Sequence, residues 1–187
     1  PLSSIRALSK LLLDRMDGEL TPEQEHQVWL IERTATEMSE LVNDLLDLAK
    51  IEAGRVEAQP APVVVENLFR ALKGMMRPLV DAERVDLVFD NGGIEEAFDS
   101  DEGMLSQILR NFVSNALKFT EDGSVRVSAA HDVETDLLTF AVTDTGIGID
   151  ADHLHLIFEE FTQVENPLQS RSKGTGLGLP LCRRLAE

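Results

Sequence analysis

The chain of 187 residues is 43% hydrophobic and 27% charged, which is typical of a globular protein with one medium or two small domains. Its formal net charge of −17 argues against nucleic-acid binding and against contact with anionic membranes, because both need a basic surface. One cysteine, Cys182, excludes an internal disulfide, and no apolar run reaches the roughly 18 residues of a membrane helix, so we expect a cytoplasmic protein or the cytoplasmic part of a membrane-anchored one.

The first third of the chain has the apolar periodicity of two helices. Leu2, Ile5 and Leu12 mark the first helix. The second is expected to run to about Glu52, with Gly54 as its end. Both helices carry wide apolar stripes.

The stretch DGELTPEQE separates the two helices. Gly18 can end the first, Thr21 can cap the second, and Pro22 suits a first helical residue. We therefore expect residues 1–54 to form an antiparallel hairpin. Because one hairpin cannot bury both stripes, two copies should associate as a dimeric four-helix bundle. The alternative is a single hairpin packed on the following domain.

From residue 62 onward, strands and helices alternate, after a linker that Pro60 and Pro62 keep out of a helix. The expected elements are a strand at 63–65, a helix from 66 to about 82, a strand in RVDLVFD, a helix at 101–117, a strand hairpin of DGSVRVSAA and LLTFAVTD, a short helix at 152–158 and a last helix from Gly176. The pattern predicts the α+β class, with an antiparallel helical hairpin at 1–54 and an α/β two-layer sandwich with a mixed sheet at 62–187.

The helical segment NFVSNALKFT carries two amides and a lysine on one side. Asn111 and Asn115 are one turn apart, and Lys118 lies three residues further on. Magnesium takes one or two hard protein ligands and fills its shell with water and phosphate oxygens. The segment could therefore hold a metal–phosphate unit, or it could be an ordinary polar helix edge.

Two further segments follow along the chain. In DTGIGID, Asp144 ends a strand and could accept a hydrogen bond from an exocyclic amine such as that of adenine. Gly146 and Gly148 would let the backbone approach a flat ligand closely. In FEEFTQ, Phe158 and Phe161 are three residues apart, and such aromatic residues usually belong to the core.

The fourth segment, GTGLGLPL, places three alternate glycines before a helix. Glycines at a helix N-terminus let backbone N–H groups point at phosphate. The segment is not a Walker loop, because no Lys-Ser or Lys-Thr pair follows the glycines.

In this order, the four segments resemble the N box, first glycine box, F box and second glycine box of sensor histidine kinases, which share the Bergerat nucleotide fold. Residues 62–187 resemble the catalytic ATP-binding domain of that family. Residues 1–54 resemble its dimerisation and histidine-phosphotransfer hairpin, and LLDLAKIEAGR is similar to the end of that hairpin's second helix. The resemblance covers the whole chain.

The resemblance implies a role for each matching residue. Asn115 would coordinate magnesium, Asn111 and Lys118 would lie beside the phosphates, and Asp144 would bind the adenine amino group. Gly146 and Gly148 would shape the base pocket. The residues expected to close over the phosphates are Gly174, Thr175, Gly176, Leu177 and Gly178.

A mobile ATP lid is implied at residues 161–173. Its Arg171 and Lys173 are candidates for contact with the γ-phosphate, the alternative being solvated lid charges. The family often has two consecutive glycines where this chain has Lys173 and Gly174, so the hinge of the lid departs from the usual pattern.

The resemblance implies a protein-histidine kinase that uses ATP and Mg²⁺ and passes the phosphoryl group to the receiver domain of a response regulator. Topoisomerase-like relatives have a water-activating glutamate where this chain has Asn111, which cannot act as a base. Transfer to a protein is therefore favoured over hydrolysis. The alternatives are a non-catalytic dimeric scaffold or phosphotransfer adaptor, and a protein-serine kinase acting on an anti-sigma partner.

The family's phosphoacceptor box reads His-Glu-x-Arg-Thr-Pro-Leu, and this sequence starts at its Pro-Leu. We therefore expect the acceptor histidine five residues before Pro1, with its acid beside it, and further strands after Glu187. The histidines present do not fit the box, and His153 and His155, at i and i+2 of a helix, would point apart rather than share a metal.

Overall fold

The computed structural model describes residues 1–16, 18–164 and 174–187. Its first two helices are α1 (Leu2–Leu13) and α2 (Pro22–Glu52). Helix α2 begins at a capping box, in which Gln24 N donates to Thr21 Oγ1 over 3.2 Å and Thr21 N donates to Gln24 Oε1 over 2.9 Å. The predicted start and end of the second helix are therefore confirmed.

Helix α1 ends earlier than the predicted stop at Gly18. Arg15 has the left-handed φ of 57°, Arg15 N donates to Leu12 O, and Met16 N donates to Leu11 O. This is a Schellman motif with arginine at the position that glycine usually takes. The helix therefore closes before the glycine is reached.

The two helices pack antiparallel. Arg6 Nε lies 4.0 Å from Glu32 Oε1, and Arg15 Nη2 lies 3.8 Å from Glu25 Oε2. In the described part of the hairpin, the buried residues are Ser9, Ala35 and Leu48. Many large apolar side chains stay exposed: Ile5, Leu8, Leu11, Leu12, Met16, Trp29, Leu30, Ile31, Met38, Val42, Leu45 and Leu46.

The rest of the chain is an α/β unit. Its helices are α3 (Val65–Met76), α4 (Glu102–Phe119) and α5 (Gly178–Ala186), and its strands are β1 (Ala61–Val63), β2 (Val85–Asp90), β3 (Phe98–Ser100), β4 (Gly123–Asp132) and β5 (Leu137–Asp144). Strand β4 is central, parallel to β2 and antiparallel to β5, while β1 pairs antiparallel with β3. The predicted mixed sheet and the β4–β5 hairpin are confirmed.

One face of the three-stranded sheet is covered by helices. Val125 and Val127 of β4 are fully buried against Leu68 and Leu72 of α3 and Val113 of α4. Their alternation along β4 places every second side chain on the helix side. This layer holds α4 in place, and α4 carries several of the predicted site residues.

Several predicted boundaries were wrong. The strand expected at 63–65 ends at Val63 because Val65 begins α3. Helix α3 ends at Met76 and a 3₁₀ turn, Arg77–Leu79, follows, since Pro78 has no N–H to continue the helical hydrogen bonds.

The end of the chain also differs from the prediction. The helix expected at 152–158 is only a 3₁₀ turn at Ala151–His153. The last helix starts at Gly178 rather than at Gly176, because Gly176 has a left-handed φ of 71° that a right-handed helix cannot include.

The hairpin docks on the α/β unit through the C-terminal half of α2. Leu48 packs against Leu177 and Leu181, both fully buried, with Ile51 and Leu185 at the edge of the cluster. The alternative of a hairpin packed on the next domain is thus realised at one end of α2.

Across residues 1–16, 18–164 and 174–187, no helix is long and apolar enough to cross a membrane.

Candidate functional site

The glycine segment, residues 174–178, lies along the face of α4 that carries Asn111 and Lys118. A methyl group placed on Gly178 would be 3.4 Å from Asn111 Oδ1, and one on Gly174 would be 3.2 Å from Lys118 Nζ. Two of the four predicted segments, more than fifty residues apart in sequence, therefore form one surface.

The F-box segment, FEEFTQ, is hydrogen-bonded to backbone carbonyl groups of the glycine segment. Phe161 N donates to Gly176 O over 3.1 Å, and Gln163 Nε2 donates to Gly174 O over 2.6 Å. A methyl group on Gly176 would lie only 2.8 Å from Phe161 C, and its φ is left-handed, so the position requires glycine. Phe161 is 59% exposed, so the expectation of a core aromatic was wrong for this residue.

The loop after β5 is fixed to the C-terminal end of α4. Ile147 N donates to Phe119 O over 3.2 Å, and Gly146 N donates to Asp144 Oδ1 over 2.9 Å. A methyl group on Gly146 would collide with Phe119 O, so this glycine allows the loop to approach the helix. Asp144 is thereby held at the end of β5 with its carboxylate exposed.

An apolar surface flanks Asp144. Ile147 and Ile149 are each about half exposed, at 50% and 49%. Gly148 between them has a φ of 69°, and among the described residues nothing lies within 4 Å of where its side chain would be. A carboxylate acceptor beside exposed isoleucines suits a flat, largely apolar base with an exocyclic amine.

The two asparagines of α4 have different surroundings. Asn111 lies where a methyl group on Gly178, at the start of α5, would meet it, and it is close to the Cys182 thiol, which donates to Ile108 O over 3.7 Å. Asn115, one turn later, is half-buried. Burial raises the pKa of Cys182 to about 11, which the nearby Asn111 side chain only partly offsets, so the thiol stays protonated and is not a nucleophile at neutral pH.

Lys118 lies where α4, the glycine segment and the hairpin meet. Burial lowers the pKa of Lys118, and the charges of Glu37, Arg33 and Glu40 on α2 act on it across the domain contact. Its ammonium is also 5.2 Å from the centre of the Phe119 ring. The predicted phosphate lysine is therefore partly surrounded by the hairpin.

Sequence reasoning missed the hairpin residues that border the site. Thr175 Oγ1 donates to Asp44 Oδ2 over 3.3 Å, and Gln107 Nε2 of α4 donates to Asp47 Oδ2 over 3.1 Å. Burial raises the pKa of Asp44, although the bond from Thr175 lowers it. A signal was present, because Glu37, Glu40, Asp44 and Asp47 follow one another at steps of four and three and so share one helix face.

Two predicted residues cannot be placed. Arg171 and Lys173 lie outside the described residues, as does the implied lid beyond Val164.

A separate cleft of about 480 Å³ opens between α2 and α4, lined in part by Asn43, Lys50 and Arg110. None of the predicted nucleotide residues lines it.

Two family models match the chain. The family described as "Histidine kinase-, DNA gyrase B-, and HSP90-like ATPase" matches residues 100–187. The "His Kinase A (phospho-acceptor) domain" matches residues 1–54. The two matches fall on the glycine-rich α/β unit and on the helical hairpin.

Curated relatives match over the whole chain. The autoinducer 2 sensor kinase/phosphatase LuxQ of Vibrio harveyi is 36% identical over 193 residues, which is 100% of this chain and 22% of that protein. The aerobic respiration control sensor protein ArcB of Escherichia coli K12 is also 36% identical, over 100% of this chain and 24% of its own length. The chain thus spans less than a quarter of these relatives.

Solved structures show the same arrangement. Full-length ShkA, crystallised in complex with AMPPNP, superposes with a TM-score of 0.76 at 33% identity, covering 100% of this chain and 38% of that one. The histidine kinase AdeS of Acinetobacter baumannii has a TM-score of 0.66 at 17% identity, over 99% of this chain and 82% of its own, and supports the fold alone.

Proposed function

Since this chain belongs to the sensor histidine kinases, with a phosphoacceptor-type hairpin and their ATPase domain, we propose that it binds ATP with Mg²⁺ and transfers the γ-phosphoryl group to a histidine of the hairpin. The observation that carries the proposal is the surface shared by Asn111, Lys118 and the glycine segment, residues 174–178. The glycine backbone that leads into α5 and a cation lie together there, and a phosphate chain would be bound by such groups.

The nucleotide would lie between two ends of this surface. Adenine would donate its amine to Asp144 and rest on Ile147 and Ile149, whose side chains are about half exposed. The phosphates would follow the glycine segment toward Lys118. The half-buried amide of Asn115 fits a magnesium ligand, and the ion would neutralise phosphate charge when bound.

Transfer to a protein group fits the side chain at position 111 better than hydrolysis does. The Asn111 amide cannot take a proton from water. In the proposed reaction an imidazole nitrogen attacks the γ-phosphorus, a nitrogen–phosphorus bond forms, and ADP leaves with the bridging oxygen. A receiver-domain aspartate of a response regulator would then accept the phosphoryl group in the cytoplasm, where ATP is supplied.

The acceptor is proposed to lie on an upstream continuation of α1. Arg6 of α1 is paired with Glu32 of α2. Because the two helices are antiparallel, a residue that precedes Arg6 by a given number of positions faces the residue that follows Glu32 by the same number. Five residues before Pro1, the helix would face α2 at about Val42. That level is half a turn from Asp44, which contacts the glycine segment through Thr175.

Two copies would complete the hairpin as a four-helix bundle. The exposed apolar side chains of α1 and α2 form the surface that a second copy would cover. Leu8, which is 62% exposed, is typical of this surface. Sedimentation equilibrium of residues 1–187 should give a dimer, and Leu8→Glu should shift it toward monomer.

Calorimetric titration with ATP tests the nucleotide site. Wild-type protein should bind ATP in the presence of Mg²⁺, and Asn115→Ala should lose the magnesium-dependent part of the affinity. Ser114→Ala, an exposed neighbour on α4, is the matched control and should bind as wild type does. If wild-type protein shows no magnesium-dependent binding, the non-catalytic scaffold or adaptor is the better description.

The same protein tests the proposed acceptor. Residues 1–187 incubated with γ-labelled ATP should incorporate no acid-labile phosphate. Addition of the upstream residues that carry the proposed histidine should restore incorporation. Labelling of residues 1–187 themselves would place the acceptor within this chain and refute its proposed position.

A further inference from the structure

One hydroxyl connects the hairpin to the glycine segment. Thr175 Oγ1 donates to Asp44 Oδ2 over 3.3 Å and accepts from Leu177 N over 3.2 Å. A carboxylate of α2 therefore reaches, through a single side chain, the backbone that leads into α5. None of the four sequence segments includes Asp44.

The glycine segment needs such an anchor. Gly174, Gly176 and Gly178 give the backbone wide conformational freedom, and a loop that binds phosphate must lose that freedom. Phe161 and Gln163 restrain it by bonds to its carbonyl groups. Asp44 restrains it through the Thr175 hydroxyl.

The polar contact is joined to an apolar one. Leu48 lies one turn after Asp44 on α2 and packs against the fully buried Leu177. The two contacts hold consecutive parts of the glycine segment against consecutive turns of one helix. Asp44 is itself half-buried, so its contact is part of the packed domain interface rather than a mobile surface pair.

We propose that Asp44 is a positioning residue for the nucleotide site: by holding Thr175, it fixes the glycine segment in the conformation that receives the phosphates of ATP. The inference rests on the proposed function, because it assigns phosphate binding to that segment. It goes beyond that function by placing a determinant of ATP affinity on the hairpin.

The charge of Asp44 acts in the opposite direction, and the experiment has to separate the two effects. A carboxylate close to the phosphates repels them, and Glu40 adds to this repulsion. Asparagine and alanine both remove the charge, but only asparagine keeps an oxygen that accepts from Thr175. The comparison of Asp44→Asn with Asp44→Ala therefore isolates the hydrogen bond.

The test is calorimetric binding of Mg·ATP and of adenosine to residues 1–187. Asp44→Ala should bind Mg·ATP about two- to tenfold more weakly than Asp44→Asn, the range expected for one hydrogen bond. Adenosine affinity should be equal in both, since the base site at Asp144 is separate. In a Thr175→Val background, the difference between the two Asp44 variants should vanish.

Controls distinguish positioning from general damage. Glu23→Gln removes one charge from the exposed first turn of α2, at the other end of the helix, and should leave both affinities unchanged. Circular dichroism checks that each variant is folded. Should an Asp44 variant unfold, Thr175→Ser against Thr175→Val gives the same comparison from the other partner, and Thr175→Val, which lacks the hydroxyl, should bind Mg·ATP more weakly than Thr175→Ser.

Each remaining outcome is decisive. Equal Mg·ATP affinity of Asp44→Ala and Asp44→Asn overturns the inference while leaving the proposed function intact. Equal losses for ATP and adenosine also overturn it, because they indicate a structural defect rather than phosphate positioning. If wild-type protein binds neither ligand, the proposed function fails and this inference fails with it.

Discussion

Leu177 provides the strongest test of how the hairpin is attached to the α/β unit. Its side chain is fully buried against Leu48 and Leu181. Leu177→Ala removes three carbons, worth about 0.8 kcal/mol each, or about 2.4 kcal/mol of transfer free energy. The residual cavity adds to this, so we expect a loss of about 3 kcal/mol in the free energy of unfolding.

Urea unfolding followed by far-UV circular dichroism measures this loss. Leu137→Ala is the matched control, because Leu137 is 61% exposed on β5 and its truncation should change the free energy of unfolding by less than about 0.5 kcal/mol. Trp29, in α2, reports the hairpin separately by fluorescence. Its transition should shift together with the dichroism in Leu177→Ala if the two parts unfold as one unit.

A double-mutant cycle of Leu177→Ala with Leu48→Ala tests whether the two side chains contact each other. Side chains that touch should give a non-additive pair, with the second truncation costing less than the first. The reasoning is refuted if Leu177→Ala costs under about 1 kcal/mol, or if the two substitutions add. Either result would mean that Leu177 is not buried against the hairpin in solution.

Three further predictions concern single groups. Thr21→Ala breaks the capping box and should lower the free energy of unfolding by about 1 kcal/mol, as measured by urea unfolding. Amide exchange in the first turn of α2 should become faster, and unchanged exchange would contradict the prediction. Hydrogen bonds from Gln59 N and Met104 N lower the pKa of Asp101 below its ordinary value of 3.8. The Asp101 carboxylate therefore stabilises the fold fully above pH 3.8, and this contribution is lost as the pH falls through the lowered pKa of the folded protein. Asp101→Asn should therefore flatten the acid limb of the stability curve, and an unchanged slope would count against this account. Cys182, with its pKa raised by burial to about 11, should react with iodoacetamide at neutral pH only when urea unfolds the chain; rapid labelling of native protein would be inconsistent with its burial.

Local features of the sequence predicted most elements, because their signals are local. Thr21 and Pro22 mark the start of α2 by cap chemistry, and the 3.6-residue periodicity defines α4. Boundaries failed where backbone geometry outweighed the pattern. Arg15 took the left-handed position expected of Gly18, and the left-handed Gly176 delayed the start of α5.

The residues of the candidate site remain a prediction, and their assembly could not be predicted from the sequence. Asn111, Asp144 and the glycine segment were selected because four segments, in order, resemble the boxes of sensor histidine kinases, whereas each segment alone left an ordinary structural role open. The position of the glycine segment beside Asn111 depends on the packing of α5, and the position of Asp144 depends on the β4–β5 hairpin; no local pattern encodes either. The bond of Thr175 to Asp44 joins residues 131 positions apart, so it was beyond reach before the domain contact was known.

This acidic chain can bind a triphosphate, as proposed, only if local groups in the site offset the negative charge of the whole protein. With a net charge of −17, the overall field repels phosphate. In the proposed site, the groups that oppose this field are the glycine backbone that leads into α5 and Lys118, whose pKa is lowered by burial. In the proposed complex the acids of the hairpin would repel the phosphates, while Glu37 partly offsets the effect of burial on the pKa of Lys118 and Asp44 holds Thr175. Repulsion acts over a Debye length, whereas the hydrogen bond and the apolar contact act only at closest approach. If the proposed function holds, small movements of α2 against the α/β unit would shift this balance and change the affinity for ATP.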